Sequence, residues 1–123
     1  MTLRVALLHS RIRVEEKLLL EELQRQGAEV APVDVRSARW SLDRPEPWRE
    51  FDVVFDRCLS HSQSLTVATI LDSWSIPCIN RAEVNRICGD KIEMSAVLAR
   101  HGVPAVPSHV AVSAETALEL MES

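Results

Sequence analysis

Two groups of residues in this chain have the types and spacing to handle anions. The first is Gly89-Asp90-Lys91. Asp90 followed by Glu93 reads as a capping box, so Lys91 falls in the first turn of a helix, at the positive end of its dipole. A cation there asks for compensation. An anion such as a nucleotide phosphate, held by the ammonium and by free backbone N–H groups, would supply it. A solvated lysine beside a capping aspartate is the other reading. The second group is Arg11 and Arg13 with Arg57 and Ser60, flanked by His61 and Ser62. Arginine forks grip carboxylates bidentately, and Ser60 with Gln63 marks a further helix start with N–H donors of its own. A small carboxylic acid suits such a set. Alternatively, the arginines pair with Glu15, Glu16 or Asp56 and Ser60 only caps its helix.

Other chemistries find little support. Neither G-x-x-x-x-G-K-[ST] nor G-x-G-x-x-G occurs. His9, His61, His101 and His109 lack metal-ligand spacing, and nothing orients His61 as a base for Cys58. Cys58, Cys78 and Cys88 form no C-x-x-C pair and read as free thiols of a reducing compartment. Trp40, Trp48 and Trp74 read as packing or interface residues, because basic residues do not interleave with them. A net charge of −4 and a pI near 5.5 argue against a nucleic-acid partner. No apolar run reaches the ~20 residues that span a bilayer. The expectation is a soluble, cytoplasmic protein with no membrane partner, for which a homodimer stays open.

The 123 residues allow one small domain, or one domain plus the start of another. With 46% hydrophobic and 4% aromatic residues the core is aliphatic. Leu3 to Leu8 suits a strand buried on both faces. A helix from Glu15 to Gly27 follows, with Leu18, Leu19, Leu20 and Leu23 as its apolar face. Glu29 to Val35 is a strand that Pro32 confines to an edge. Residues 36–50 form a surface connection with a short helical turn near Trp48. Then come a strand over Phe51–Phe55, a helix from Ser60 through Trp74, and a short strand over Ile76–Ile79. Asn80 with Glu83 opens a small helix that Gly89 ends in the left-handed conformation. A helix over Lys91–His101, a strand over His109–Val112 and a Ser113-capped helix over Ala114–Met121 complete the chain. Strands joined by helical crossovers give an α/β fold, a small doubly wound parallel sheet of order 2-1-3-4. Its crevice lies at the carboxyl ends of the strands, where the winding reverses. The loop His9–Arg13 then lies beside the loop Arg57–Gln63.

Four blocks carry a resemblance. They are Ser10-Arg11-Ile12-Arg13-Val14-Glu15-Glu16, then Arg57-Cys58-Leu59-Ser60, then Ile76 to Val84, then Cys88-Gly89-Asp90-Lys91. In this order they resemble the amino-terminal part of the LysX/RimK group of ATP-grasp ligases. Within the group the pattern is most similar to the α-aminoadipate–carrier-protein ligases of lysine biosynthesis. The resemblance implies a pre-ATP-grasp domain over residues 1–89 and the beginning of an incomplete central lid domain over 90–123. It implies an enzyme that uses ATP and Mg²⁺ to phosphorylate a carboxylate and then joins the acyl phosphate to an amine. It implies that Lys91 contacts ATP, and that α-aminoadipate or glutamate and an acidic carrier protein are the partners. Arg11, Arg13, Arg57 and Ser60 are the expected substrate or carrier side. The second ATP lysine and the Mg²⁺ carboxylates of the family have no counterpart, so the chain alone is expected to be inactive. The alternative is a stand-alone binding or interaction module of the same fold.

Overall fold

The computed structural model describes residues 1–123 as two compact units, Met1–Gly89 and Asp90–Ser123. The first unit holds a four-stranded parallel sheet in the order β2-β1-β3-β4. Its strands are β1 (Arg4–His9), β2 (Glu29–Asp34), β3 (Val53–Arg57) and β4 (Cys78–Ile79), and its helices α1 (Val14–Arg25), α2 (His61–Ser73) and α3 (Ala82–Gly89). The expected sheet order is what forms, with Pro32 on the edge strand β2. Val5, Ala6, Leu7 and Leu8 of the central strand β1 are fully buried.

Residues alternate between the two faces of each strand. Ala6, Leu8, Val54 and Cys78 face one core, which Val67, Ala68, Leu71 and Trp74 of α2 complete. The other face lies under α1, whose only buried residue is Glu16. Leu18, expected on the apolar face of that helix, is exposed.

The long connection before β3 is held by aromatics. Trp40 stacks on Trp48 with ring centroids 4.1 Å apart and lies 6.3 Å from Trp74. The indole N–H of Trp74 donates to the Leu42 carbonyl at 3.0 Å, so the residue that ends α2 ties down the loop. The expected helical turn is present as a single 3₁₀ turn over Glu46–Trp48.

Several boundaries differ from the sequence expectation. β3 begins at Val53: the Asp52 backbone N–H already donates to the Arg4 carbonyl at 2.8 Å, but the Arg4 N–H goes to the Asp52 carboxylate at 2.7 Å in place of a backbone carbonyl. β4 begins at Cys78, because Pro77 has no N–H and the Ile76 N–H closes α2 by donating to the Leu71 carbonyl at 2.9 Å. α3 starts at Ala82, and its first turn closes on the Arg81 carbonyl. Asn80 therefore stands one residue too early to cap it. Gly89 ends α3 without a positive φ, unlike Gly27 (φ +87°) and Gly102 (φ +64°). A Cβ at 89 would meet the ring of exposed His61, which would have to rotate away.

The second unit contains α4 (Lys91–Arg100) and α5 (Ala114–Glu122). One Asp90 carboxylate oxygen caps α4, accepting from the N–H groups of Ile92 and Glu93 at 2.9 Å each. Ser113 caps α5 by accepting from the Thr116 N–H at 3.2 Å. The strand expected over His109–Val112 does not form. Its alternation is strand-like, but a strand without a partner leaves its backbone groups to water. No residue of this unit is buried.

Candidate anion-binding site at the carboxyl edge of the sheet

β1 has β2 on one side and β3 on the other, so the winding reverses beside it. Its last residue, His9, is in register with Asp34 of β2 and Arg57 of β3. These three side chains form a row across one face at the carboxyl ends of the strands. The loops beyond are tied together, because the Ser10 hydroxyl accepts from the Leu59 N–H at 3.2 Å.

Glu16 supplies the centre of this edge. Its side chain is fully buried at the third position of α1. One carboxylate oxygen accepts from the Arg13 backbone N–H at 2.9 Å and from Arg13 Nε at 3.0 Å. The other accepts from Arg13 Nη2 at 2.8 Å and from Arg57 Nε at 3.2 Å. Arginine has no acceptor, so Arg13 caps α1 only through this returned carboxylate. The Arg13 guanidinium chiefly, helped by the Arg13 N–H and Arg57, holds the Glu16 carboxyl down to about 2 from the usual 4.5, against the opposing effect of burial.

Two cations share the Glu16 carboxylate, and the exposed Glu15 carboxylate stands 3.9 Å from Arg13 Nε. The Arg13 and Arg57 side chains are 34% and 38% exposed, so their remaining N–H groups reach solvent. Arg11 is exposed, and its guanidinium has no protein partner. Ser60 caps α2, accepting from the Gln63 N–H at 3.5 Å, and lies 3.0 Å from the Ser62 hydroxyl. Of the four residues singled out in the sequence, Arg13 and Arg57 are thus joined through Glu16. Arg11 and Ser60 are bonded to neither arginine. On the opposite face a cleft of about 250 Å³ lies against the first turns of α2, walled by Val35, Trp40 and Gln63.

The second ionic pair of the edge is Asp34–Arg36, bidentate at 3.0 and 2.7 Å. It brings the Asp34 carboxyl to about 2, Arg36 being the main cause. The buried Nδ1 of His9, between these pairs, has no hydrogen-bond partner. Asp56 serves a different purpose. Its carboxylate accepts from the Cys58 N–H at 2.9 Å and from the Ser64 hydroxyl and the Asn85 amide, which ties β3 to α2 and α3. Burial, with Asp56 adding to it, pushes the Cys58 thiol up to about 12, and burial does the same for Cys78. Both stay protonated at neutral pH and are poor nucleophiles.

In the second unit, Lys91 is exposed in the first turn of α4 and has no ion-pair partner. It stands with Ser95 on a cavity of about 540 Å³ closed by Val103 to Val110. The N–H groups beside it are already taken by Asp90.

The sequence signals for Arg13 and Arg57 were their charge and the loop placement. Glu16 stood among three acidic candidates for pairing with the arginines, and nothing in the sequence marked it as the buried one. Its distinguishing partner is Arg57, 41 residues away in the chain.

A lowered carboxyl makes an acid-range prediction. Glu16 binds its proton more weakly folded than unfolded, so its contribution is complete above about pH 4.5 and is lost as pH falls towards 2. Full linkage corresponds to about 3 kcal/mol, and screening at the exposed guanidiniums reduces this to about 1–2 kcal/mol. Urea unfolding between pH 5 and pH 2 should show this slope, and Glu16→Gln should flatten it. An unchanged slope in the variant would assign the acid sensitivity elsewhere.

Residues 5–87 match the family model of the LysX preATP-grasp domain. The chain belongs to the LysX preATP-grasp domain family. This preATP-grasp domain and the residues after it are 32% identical over 120 residues to the glutamate–LysW ligase ArgX of Sulfurisphaera tokodaii, covering 98% of this chain and 42% of that protein. They are 30% identical over 118 residues to the α-aminoadipate–LysW ligase LysX of the same organism, covering 94% of this chain and 41% of that one. Among solved structures, the RimK domain ATP-grasp protein of Sphaerobacter thermophilus superposes with a TM-score of 0.81 at 28% identity, over 97% of this chain and 45% of the other. The preATP-grasp chain therefore spans less than half the length of these relatives. No helix in it is long and apolar enough to cross a membrane.

Proposed function

We propose that this chain is the amino-terminal segment of an ATP-dependent ligase that joins glutamate or α-aminoadipate to a small LysW-type carrier protein through an acyl phosphate. The observation that carries this reading is the 32% identity that runs through 98% of the chain, across both compact units, to a glutamate–LysW ligase. Residues 1–89 would be the pre-ATP-grasp domain. Residues 90–123 would open the central lid domain, a role that suits a unit with no buried residue of its own. The cytoplasm, where ATP and amino acids are available, is the proposed compartment.

In this reading the chain's residues bind and orient. Lys91, an unpaired ammonium on the rim of a cavity, holds polyphosphate charge of ATP as the acyl phosphate forms. Arg11, Arg13, Arg57 and Ser60 face the amino acid or the acidic carrier, with the arginine forks gripping a carboxylate. The chain does not fit Mg²⁺. It has no group of three or more His, Cys, Asp or Glu side chains placed to hold a metal ion. The metal's carboxylates, and with them turnover, would belong to the remainder of the enzyme.

Lys91→Ala tests the nucleotide role in the protein completed by its ATP-grasp portion. The KM for ATP should rise tenfold or more, about 1.4 kcal/mol of lost binding, with the melting temperature unchanged. An unaltered KM would remove Lys91 from the nucleotide site.

A further inference from the structure

Both arginines of the proposed guest site are held by a residue that faces no guest. Glu16 is fully buried, and its two oxygens accept four hydrogen bonds, three from Arg13 and one from Arg57. Those four bonds saturate a carboxylate. Arg13 Nη1 and both Nη groups of Arg57 are left without protein partners, on side chains about a third exposed. The two arginines come from opposite sides of the winding reversal. Arg13 enters α1 after β1, and Arg57 ends β3. Without a common anion their like charges would drive the forks apart.

We propose that Glu16 is the positioning residue of this site, holding Arg13 and Arg57 so that their free N–H groups converge on one carboxylate group of a guest. The proposal rests on the reading of the arginines as the carboxylate side of a ligase. The two guanidiniums are balanced by buried Glu16 and by the exposed Glu15 carboxylate, 3.9 Å from Arg13 Nε, and unpaired Arg11 leaves the edge one positive charge. A saturated buried carboxylate orients the forks without competing for the guest. It also costs attraction, because it neutralises one of the cations. Orientation and charge therefore predict opposite results when Glu16 is replaced by glutamine. Charge alone predicts tighter anion binding, since the cluster gains a full positive charge. Loss of orientation predicts weaker binding, since a neutral amide cannot accept at four points from two guanidiniums.

The test is titration of the nitrogen-15-labelled chain with L-glutamate at constant ionic strength, followed at the arginine Nε–H resonances. In the wild-type chain the Arg13 and Arg57 signals should be protected from exchange at neutral pH and should shift together as glutamate is added. Protected signals that ignore glutamate would show the clamp without the guest, and would overturn the carboxylate reading on which the proposal rests. In Glu16→Gln both signals should broaden, and glutamate affinity should fall tenfold or more despite the added charge. Equal or tighter binding by that variant would overturn the positioning role. Arg57→Lys guards against a variant that fails to fold. It keeps the charge and the Arg13–Glu16 pair but removes one fork, and it should also lose tenfold in affinity. Unchanged affinity in Arg57→Lys would overturn the proposal as well.

Discussion

Trp48→Ala is expected to lower unfolding stability by about 3–5 kcal/mol, in the range for truncating a buried tryptophan. Trp48 is only 6% exposed, stacks on Trp40 at 4.1 Å, and has Phe51 tilted against it at 6.2 Å. Its indole N–H also reaches the Arg39 carbonyl at 3.5 Å. The residue thus fastens a connection that has no ladder of its own between β2 and β3. Its loss would leave a cavity and release the segment carrying Trp40, one wall of the cleft beside α2. Since small domains hold about 5–15 kcal/mol in total, the variant should unfold at a much lower urea concentration. A midpoint within error of wild type would mean that the aromatic stack is dispensable.

Leu71→Ala should cost about 2–5 kcal/mol. Leu71 is fully buried on α2, in the core shared with Leu8, Val54 and Val67. That core sets the position of α2, whose first residues follow Ser60 at the crevice. The paired control is Leu18→Ala. Leu18 is 59% exposed, so its truncation should stay within about 0.5 kcal/mol. Urea midpoints of the two variants, measured at one pH, should separate them clearly. Similar losses would mean that α1 and α2 are packed equally, against the burial of their leucines.

These two leucines also show which parts of the fold were legible in the sequence. The apolar run of β1, the edge position of Pro32 and the caps at Ser60, Asp90 and Ser113 are local signals, and each formed as the residue chemistry dictates. Helical periodicity alone ranked Leu18 with Leu19 and Leu23, because pattern does not reveal how far a single helix can cover a sheet. The residue types leave Glu16 level with Glu15 and Asp56 as a surface partner for the arginines. Only the pairing of β1 with β3 brings Arg57 over it and makes it the most enclosed charge in the chain. The His109–Val112 segment failed for the opposite reason. Its local pattern is sound, but the partner that a strand needs is a non-local requirement that it does not meet. At Gly89 the residue type marks the helix end, but not through backbone handedness, since its φ is not positive.

Mass spectrometry of a LysW-type carrier most directly tests the ligase reading. The carrier would be incubated with ATP, Mg²⁺, glutamate or α-aminoadipate, and this protein joined to its ATP-grasp portion. The carrier should gain the mass of one amino-acid residue as ADP accumulates, and omitting ATP should abolish the gain. A carrier of unchanged mass with both amino acids, under conditions where the protein is folded, would contradict it.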